Sequence, residues 1–155
     1  MTRAYLSLGS NVGDRLRNLS EGVRIVVGSD PHRVSRVYET EPVGGVDQAD
    51  FWNLVVELDG PADPRELLAR AHRAEAARSR IRQVRWGPRT LDVDVLWVEG
   101  VVSDDPTLTL PHPRLYERAF VLHPLRELAP DLVSDEQLAA GVGRVVALGT
   151  LESLT

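Results

Sequence analysis

The chain has 155 residues, 43% hydrophobic and 26% charged, with a net charge of -5; this suits one globular domain, able to bury roughly 68–70% of its unfolded surface, and argues against a generic nucleic-acid binder. It has no cysteine, which excludes a disulfide framework, a thiol nucleophile and any thiolate metal site. All 18 Lys and Arg positions are arginine, which excludes a Walker A lysine, a protein-kinase strand lysine and a Schiff-base lysine.

The first residues, Met1 to Gly9, lack the charged and apolar regions of a signal peptide. No run approaches the ~20 apolar residues of a membrane span. The expectation is a soluble cytoplasmic protein. Ala4 to Leu8 reads as a strand ending in the turn Gly9-Ser10-Asn11. Asp14 can cap a helix whose stripe is Leu16, Leu19, Val23 and Val26, stopping near Gly28. Val34 to Glu39 alternates like a strand, Pro42 to Asp50 is a loop, and Phe51 to Leu58 is a second clear strand. Asp63-Pro64 opens a helix with the stripe Leu67, Ala71 and Ala74.

Arg78 to Arg89 is basic, and Leu91 to Val98 is a third strand with Leu91, Val93, Val95 and Trp97 on its core face. Gly100 permits a hairpin into Val101-Val102; Ala119 to Leu128 reads as a helix crossed by Pro124; Leu138 to Leu148 reads as a last helix. Strand, helix, strand, strand, helix, strand is the split βαβ order, so the fold class is α+β: a ferredoxin-like sandwich over 1–155, with extra C-terminal helices and a β-hairpin.

Asp92 and Asp94 carry the sharpest chemical signal. Two apart on a strand, they point the same way, ~6.6 Å apart along it. They could be two acids on a solvated sheet face, or they could hold Mg²⁺, which takes one or two carboxylates plus substrate phosphates. Directly before them stand Arg78, Arg80, Arg82, Arg85 and Arg89, with no acid among them. Such a run could be a solvated helix end, but guanidinium groups also bind phosphate bidentately. Together the two features describe a polyphosphate site. Phosphoryl transfer needs positioning and charge neutralisation rather than a protein nucleophile. His112 in Pro111-His112-Pro113-Arg114 could be a structural turn residue or, with Arg118 after it, a further phosphate contact. Phe51 and Asn53 can stack on and hydrogen-bond a flat heterocycle, or serve as core aromatic and strand-edge amide. His72 and Glu75 can share a face of the second helix, by default as a solvated pair beside its apolar stripe.

Arg85-Trp86-Gly87-Pro88-Arg89-Thr90-Leu91-Asp92-Val93-Asp94 resembles the signature of the 6-hydroxymethyl-7,8-dihydropterin pyrophosphokinases of folate synthesis. Leu8-Gly9-Ser10-Asn11-Val12-Gly13-Asp14-Arg15, Tyr38 to Gly44, Asp47 to Asn53, Leu110 to Arg114 and Arg118 to Leu122 match further family segments in order. The resemblance implies transfer of the pyrophosphoryl group of ATP to the pterin hydroxymethyl group, leaving AMP. It implies two Mg²⁺ ions on Asp92 and Asp94. Phe51 and Phe120 would sandwich the pterin, Asn53 would bond its edge, and Thr40 and Val43 would add main-chain contacts. For ATP it points to Glu75, Arg80, Arg82, Arg89, His112 and Arg118, with adenine read near Val95 and Thr109. Trp86 would sit on a closing loop, and Arg78 to Trp86 would be mobile without ligands. His72 stands where relatives commonly carry glutamine, making an ATP contact by a titratable ring. Partners are then small molecules alone, with no nucleic acid and no membrane, and the enzyme is a stand-alone monomer. A metal-dependent nucleotidyltransferase or pyrophosphatase, and a nucleotide-sensing module without turnover, are the competing readings.

Overall fold

Residues 2–41, 49–78 and 90–155 are described by the computed structural model. β1 (Thr2–Ser10) runs through the middle of an antiparallel sheet, paired with β4 (Phe51–Gly60) on one side and β5 (Asp92–Val98) on the other. β3 (Val37–Thr40) follows β4, and β2 (His32–Val34) also pairs with β4. That is the ferredoxin-like order expected from the sequence. β6 (Val145–Gly149) extends the sheet beyond β3.

Alternation along the strands splits the core in two. Leu6, Leu8, Leu54, Val56 and Val93 face α1 (Arg15–Val27) and α2 (Pro64–Arg78). Tyr5, Val55 and Leu96 face α3 (Ala119–Leu128). Helix α1 starts where Asp14 accepts a 3.0 Å hydrogen bond from the Arg17 amide. It ends at Gly28, whose φ of +55° places it in the left-handed region. The stripe Leu67, Ala71, Ala74 of α2 is fully buried, as its spacing predicts.

Three expectations change. The single strand over 34–39 is two, because Ser35 interrupts it: the Val55 amide donates to Ser35 Oγ at 2.9 Å. Trp97 leaves the α1/α2 face, because the β1–β5 register shifts between Tyr5 and Leu6 and turns the end of β5 over. It packs on Tyr5, centroids 5.8 Å apart, under the Arg3 guanidinium. The helix over 138–148 is instead α4 (Asp135–Ala140), started by a Ser134/Gln137 capping box, and then β6. Gly141 and Gly143 separate them, and Gly143 has a φ of +118°. A short α5 (Leu151–Leu154) follows. The hairpin after Gly100 is a single bridged pair, Ser103 with Leu110. Among the described residues, no helix is long and apolar enough to cross a membrane.

One ionic cluster ties the sheet to α3. Arg33 grips the Glu57 carboxylate through Nε (2.9 Å) and Nη2 (2.7 Å), and the Tyr5 hydroxyl donates to it at 2.6 Å. Arg33 Nη2 also donates to the Leu128 carbonyl. The Arg33 guanidinium holds the Glu57 carboxyl below the usual range, while burial pushes the Tyr5 phenol up. A depressed carboxyl stabilises the fold above its unfolded pKa, and that contribution is lost as pH falls through the folded value. Glu57→Gln therefore lowers Tm at pH 7, and the gap to wild type closes as the pH drops below ~4. Thermal melts across this range check it; a constant gap would contradict it.

Candidate active site

Helix α3 covers the middle of its face of the sheet but not the end where β1, β4 and β5 carry Gly9, Asn53 and Asp92. There the floor is open and forms a cleft of about 630 Å³. Alternation places Ser7 and Gly9 of β1, Phe51 and Asn53 of β4, and Asp92 and Asp94 of β5 on it. Thr40 of β3 borders Phe51. One wall is the segment 112–120, carrying His112, Arg114, Glu117, Arg118 and Phe120. It is fixed at one end by the His112 amide on the Leu96 carbonyl, 2.8 Å. At the other end, Val142 donates to the Glu117 carbonyl and accepts from the Ala119 amide. The C-terminal stretch 142–145 thereby becomes part of the rim.

Asp92 and Asp94 are partly exposed and face the cleft, while Val93 and Val95 between and after them are buried. Glu75 of α2 reaches the start of β5 and accepts from the Val93 amide at 3.1 Å. Its carboxyl is pushed up to about 7, by burial above all and also by the neighbouring Asp92 and Asp94, against the opposing pull of the Val93 amide. Carboxylates so placed repel one another unless a proton or a metal ion joins them. Among the described residues, no group of three or more His, Asp or Glu converges as a ready-made metal cage. A pair of hard oxygen ligands open to a cleft fits Mg²⁺, which fills its remaining positions with phosphate and water.

His112 stands beside the pair, its Nε2 3.9 Å from Asp94 Oδ1. Burial lowers its pKa, and Arg118 and Arg114 lower it further. Its Nδ1 accepts from the Arg114 amide at 3.1 Å, so the neutral ring carries its proton on Nε2. At neutral pH the contact is therefore a neutral donor facing a carboxylate, not an ion pair. Arg118 lies over the Phe120 ring, 5.4 Å from its centroid. On the floor, Asn53 is buried and its Nδ2 donates to Thr40 Oγ1 at 3.0 Å. Its amide is fixed in one orientation, with Phe51 two residues away on the same face.

The cleft thus brings together Thr40, Phe51, Asn53, Asp92, Asp94, His112, Arg118 and Phe120 from the residues singled out in the sequence. Glu75 joins them through Val93. His72 is exposed on α2, Val95 is buried in the α1/α2 core, and the Thr109 hydroxyl donates to the Asp105 carbonyl; none of the three lines the cleft. Val43, Arg80, Arg82, Trp86 and Arg89, and the segment expected to be mobile beyond Arg78, lie outside the described residues. Sequence reasoning passed over Ser7, Gly9, Glu41, Arg114, Glu117 and Arg144 as lining residues. Ser7 and Gly9 had a signal: they alternate with buried Leu6 and Leu8. Arg144 had none, because it follows Gly143 in the turn before β6, where no period applies.

Residues 5–130 match the family model described as 7,8-dihydro-6-hydroxymethylpterin-pyrophosphokinase (HPPK). A 2-amino-4-hydroxy-6-hydroxymethyldihydropteridine pyrophosphokinase of Methylorubrum extorquens is 48% identical over 136 residues, 86% of each chain. A protein of the same name from Bacillus subtilis is 44% identical over 128 residues, 81% of this chain and 77% of that one. Among solved structures, Plasmodium falciparum HPPK-DHPS superposes with a TM-score of 0.58 at 15% identity. The match covers 99% of this chain but only 43% of that longer one, and it bears on the fold alone.

Proposed function

The chain belongs to the 7,8-dihydro-6-hydroxymethylpterin-pyrophosphokinase family, and we propose that its cleft transfers the pyrophosphoryl group of ATP to the hydroxymethyl group of 6-hydroxymethyl-7,8-dihydropterin in folate biosynthesis. The observation that carries this is the shared floor: a fixed amide and an aromatic at one end, a carboxylate pair at the other, with Gly9 between. The pterin hydroxyl oxygen attacks the β-phosphorus of ATP. The bond from that phosphorus to the α–β bridging oxygen breaks, AMP leaves with the oxygen, and the hydroxyl proton is lost.

In this reading Asn53 bonds the pterin edge, Thr40 and Val43 add main-chain contacts, Phe51 and Phe120 sandwich the ring, and Trp86 is a further pterin contact. Asp92 and Asp94 would hold two Mg²⁺ ions, which would supply charge neutralisation at the phosphates. Neutral His112 offers a hydrogen bond from Nε2 to a phosphate oxygen without adding charge. Arg80, Arg82, Arg89 and Arg118 take the remaining charge as bidentate donors. Glu75, His72 and the backbone near Val95 and Thr109 serve the nucleoside end. The enzyme works as a cytoplasmic, monomeric single domain with small-molecule substrates only.

The test is to incubate the protein with ATP, Mg²⁺ and the hydroxymethyl-dihydropterin and separate the products. The expected result is AMP and pterin pyrophosphate in equal amounts, abolished by EDTA. Free pyrophosphate would indicate a nucleotidyltransferase or pyrophosphatase, and no turnover would indicate a sensing module; either overturns the proposal.

A further inference from the structure

Gly9 sits opposite Asn53 on β4 and opposite Asp92 on β5. It is the cross-strand neighbour of both the amide assigned to the pterin and a carboxylate assigned to metal. A Cβ at this position would lie 2.5 Å from Asn53 Oδ1 and 3.7 Å from Phe51 Cδ1. The first distance is a collision, and Asn53 cannot yield cheaply. Its side chain is short and buried, and its amide is engaged with Thr40 Oγ1. Backbone conformation does not require glycine here: Gly9 is an ordinary strand residue and is not among the positive-φ glycines. A glycine inside a strand weakens it and often marks a place where something approaches the backbone closely. Here that close neighbour is the Asn53 amide, and the space above it is the cleft.

We infer that Gly9 is a positioning residue for the pterin: its bare Cα sets the height and plane of the Asn53 amide. This rests on the pyrophosphokinase reading, and it adds a residue that acts through Asn53 rather than by touching a reacting atom.

Pterin Kd, measured by equilibrium titration with a non-hydrolysable ATP analogue and Mg²⁺ present, reads the effect directly. Gly9→Ala weakens pterin binding on the order of 10- to 100-fold, the consequence of displacing a buried amide from its partner. Affinity for the ATP analogue alone changes by no more than about 2-fold. In an Asn53→Ala background the colliding atom is gone, so Gly9→Ala adds less than about 3-fold. A general loosening of the fold would instead lower both affinities and add its full factor in either background.

Unchanged pterin affinity in Gly9→Ala, or an equal loss in the two backgrounds, overturns the inference. If Gly9→Ala fails to fold, the double variant decides: folding restored by Asn53→Ala locates the collision at the amide, and failure of both refutes it. A wild type that binds pterin but yields no AMP would refute the activity and leave this measurement intact.

Discussion

Asp94→Ala is expected to lower kcat/KM by at least ~10³-fold while the protein stays folded. Asp94 projects from β5 into the cleft beside His112 with its side chain 36% exposed, and it belongs to neither buried core. What is removed is half of a carboxylate pair held on one strand face by the alternation that buries Val93 and Val95. Losing one ligand of a site that clamps phosphate oxygens removes several kcal/mol of transition-state stabilisation, and ~1.4 kcal/mol corresponds to tenfold in rate. Because the chain has no lysine, no amine stands by to replace a lost metal. The folded state loses little, since substitutions outside the core usually stay within ~0.5 kcal/mol, or about 2 °C in Tm for a chain of this size. Product formation at saturating Mg²⁺ and a melting curve are the two measurements. Near wild-type turnover by a folded variant would remove Asp94 from the proposed metal site.

The floor of this site is legible in the sequence and much of its wall is not, for a physical reason. Asp92, Asp94, Phe51 and Asn53 lie on strands, where a period of two tells from residue order alone which side chains share a face. The helices are equally readable, because the α2 stripe Leu67, Ala71, Ala74 and the Asp14 cap are local signals. The wall depends on long-range events with no local period. One is the return of Val142 to Glu117 and Ala119. Another is the register shift opposite Tyr5, which moves Trp97 to the other core and defeats any strict alternation. The C-terminal misreading belongs here too: Leu138, Val142, Val145 and Val146 suit a helical stripe by spacing, but Gly141 and Gly143 break it and β3 offers an open edge to pair with.

The two faces of β1 make a second large effect separable from the first. Leu8→Ala is expected to cost about 3 kcal/mol of stability, within the range for leucine truncation in a close-packed core. Leu8 is buried against Leu54 of β4 and Val93 of β5 in the pairing register. Helix α1 presses on it so closely that a Cβ on Gly22 would stand 2.9 Å from Leu8 Cδ2. A helix already in contact through a bare Cα has some room to settle, but the flanking strands are held by their ladders, so most of the void remains. For a domain of this size, ~3 kcal/mol corresponds to a fall in Tm of about 6–12 °C. Leu8 points toward α1 and α2, whereas its neighbours Ser7 and Gly9 point into the cleft. Well below the new midpoint, the folded variant should therefore keep kcat/KM within about 3-fold of wild type, because a stability of roughly 5–15 kcal/mol absorbs the loss without populating the unfolded state. An unchanged Tm would show that the site collapses around the void. A large loss of kcat/KM in protein that is still folded would show that the two faces of β1 are mechanically coupled.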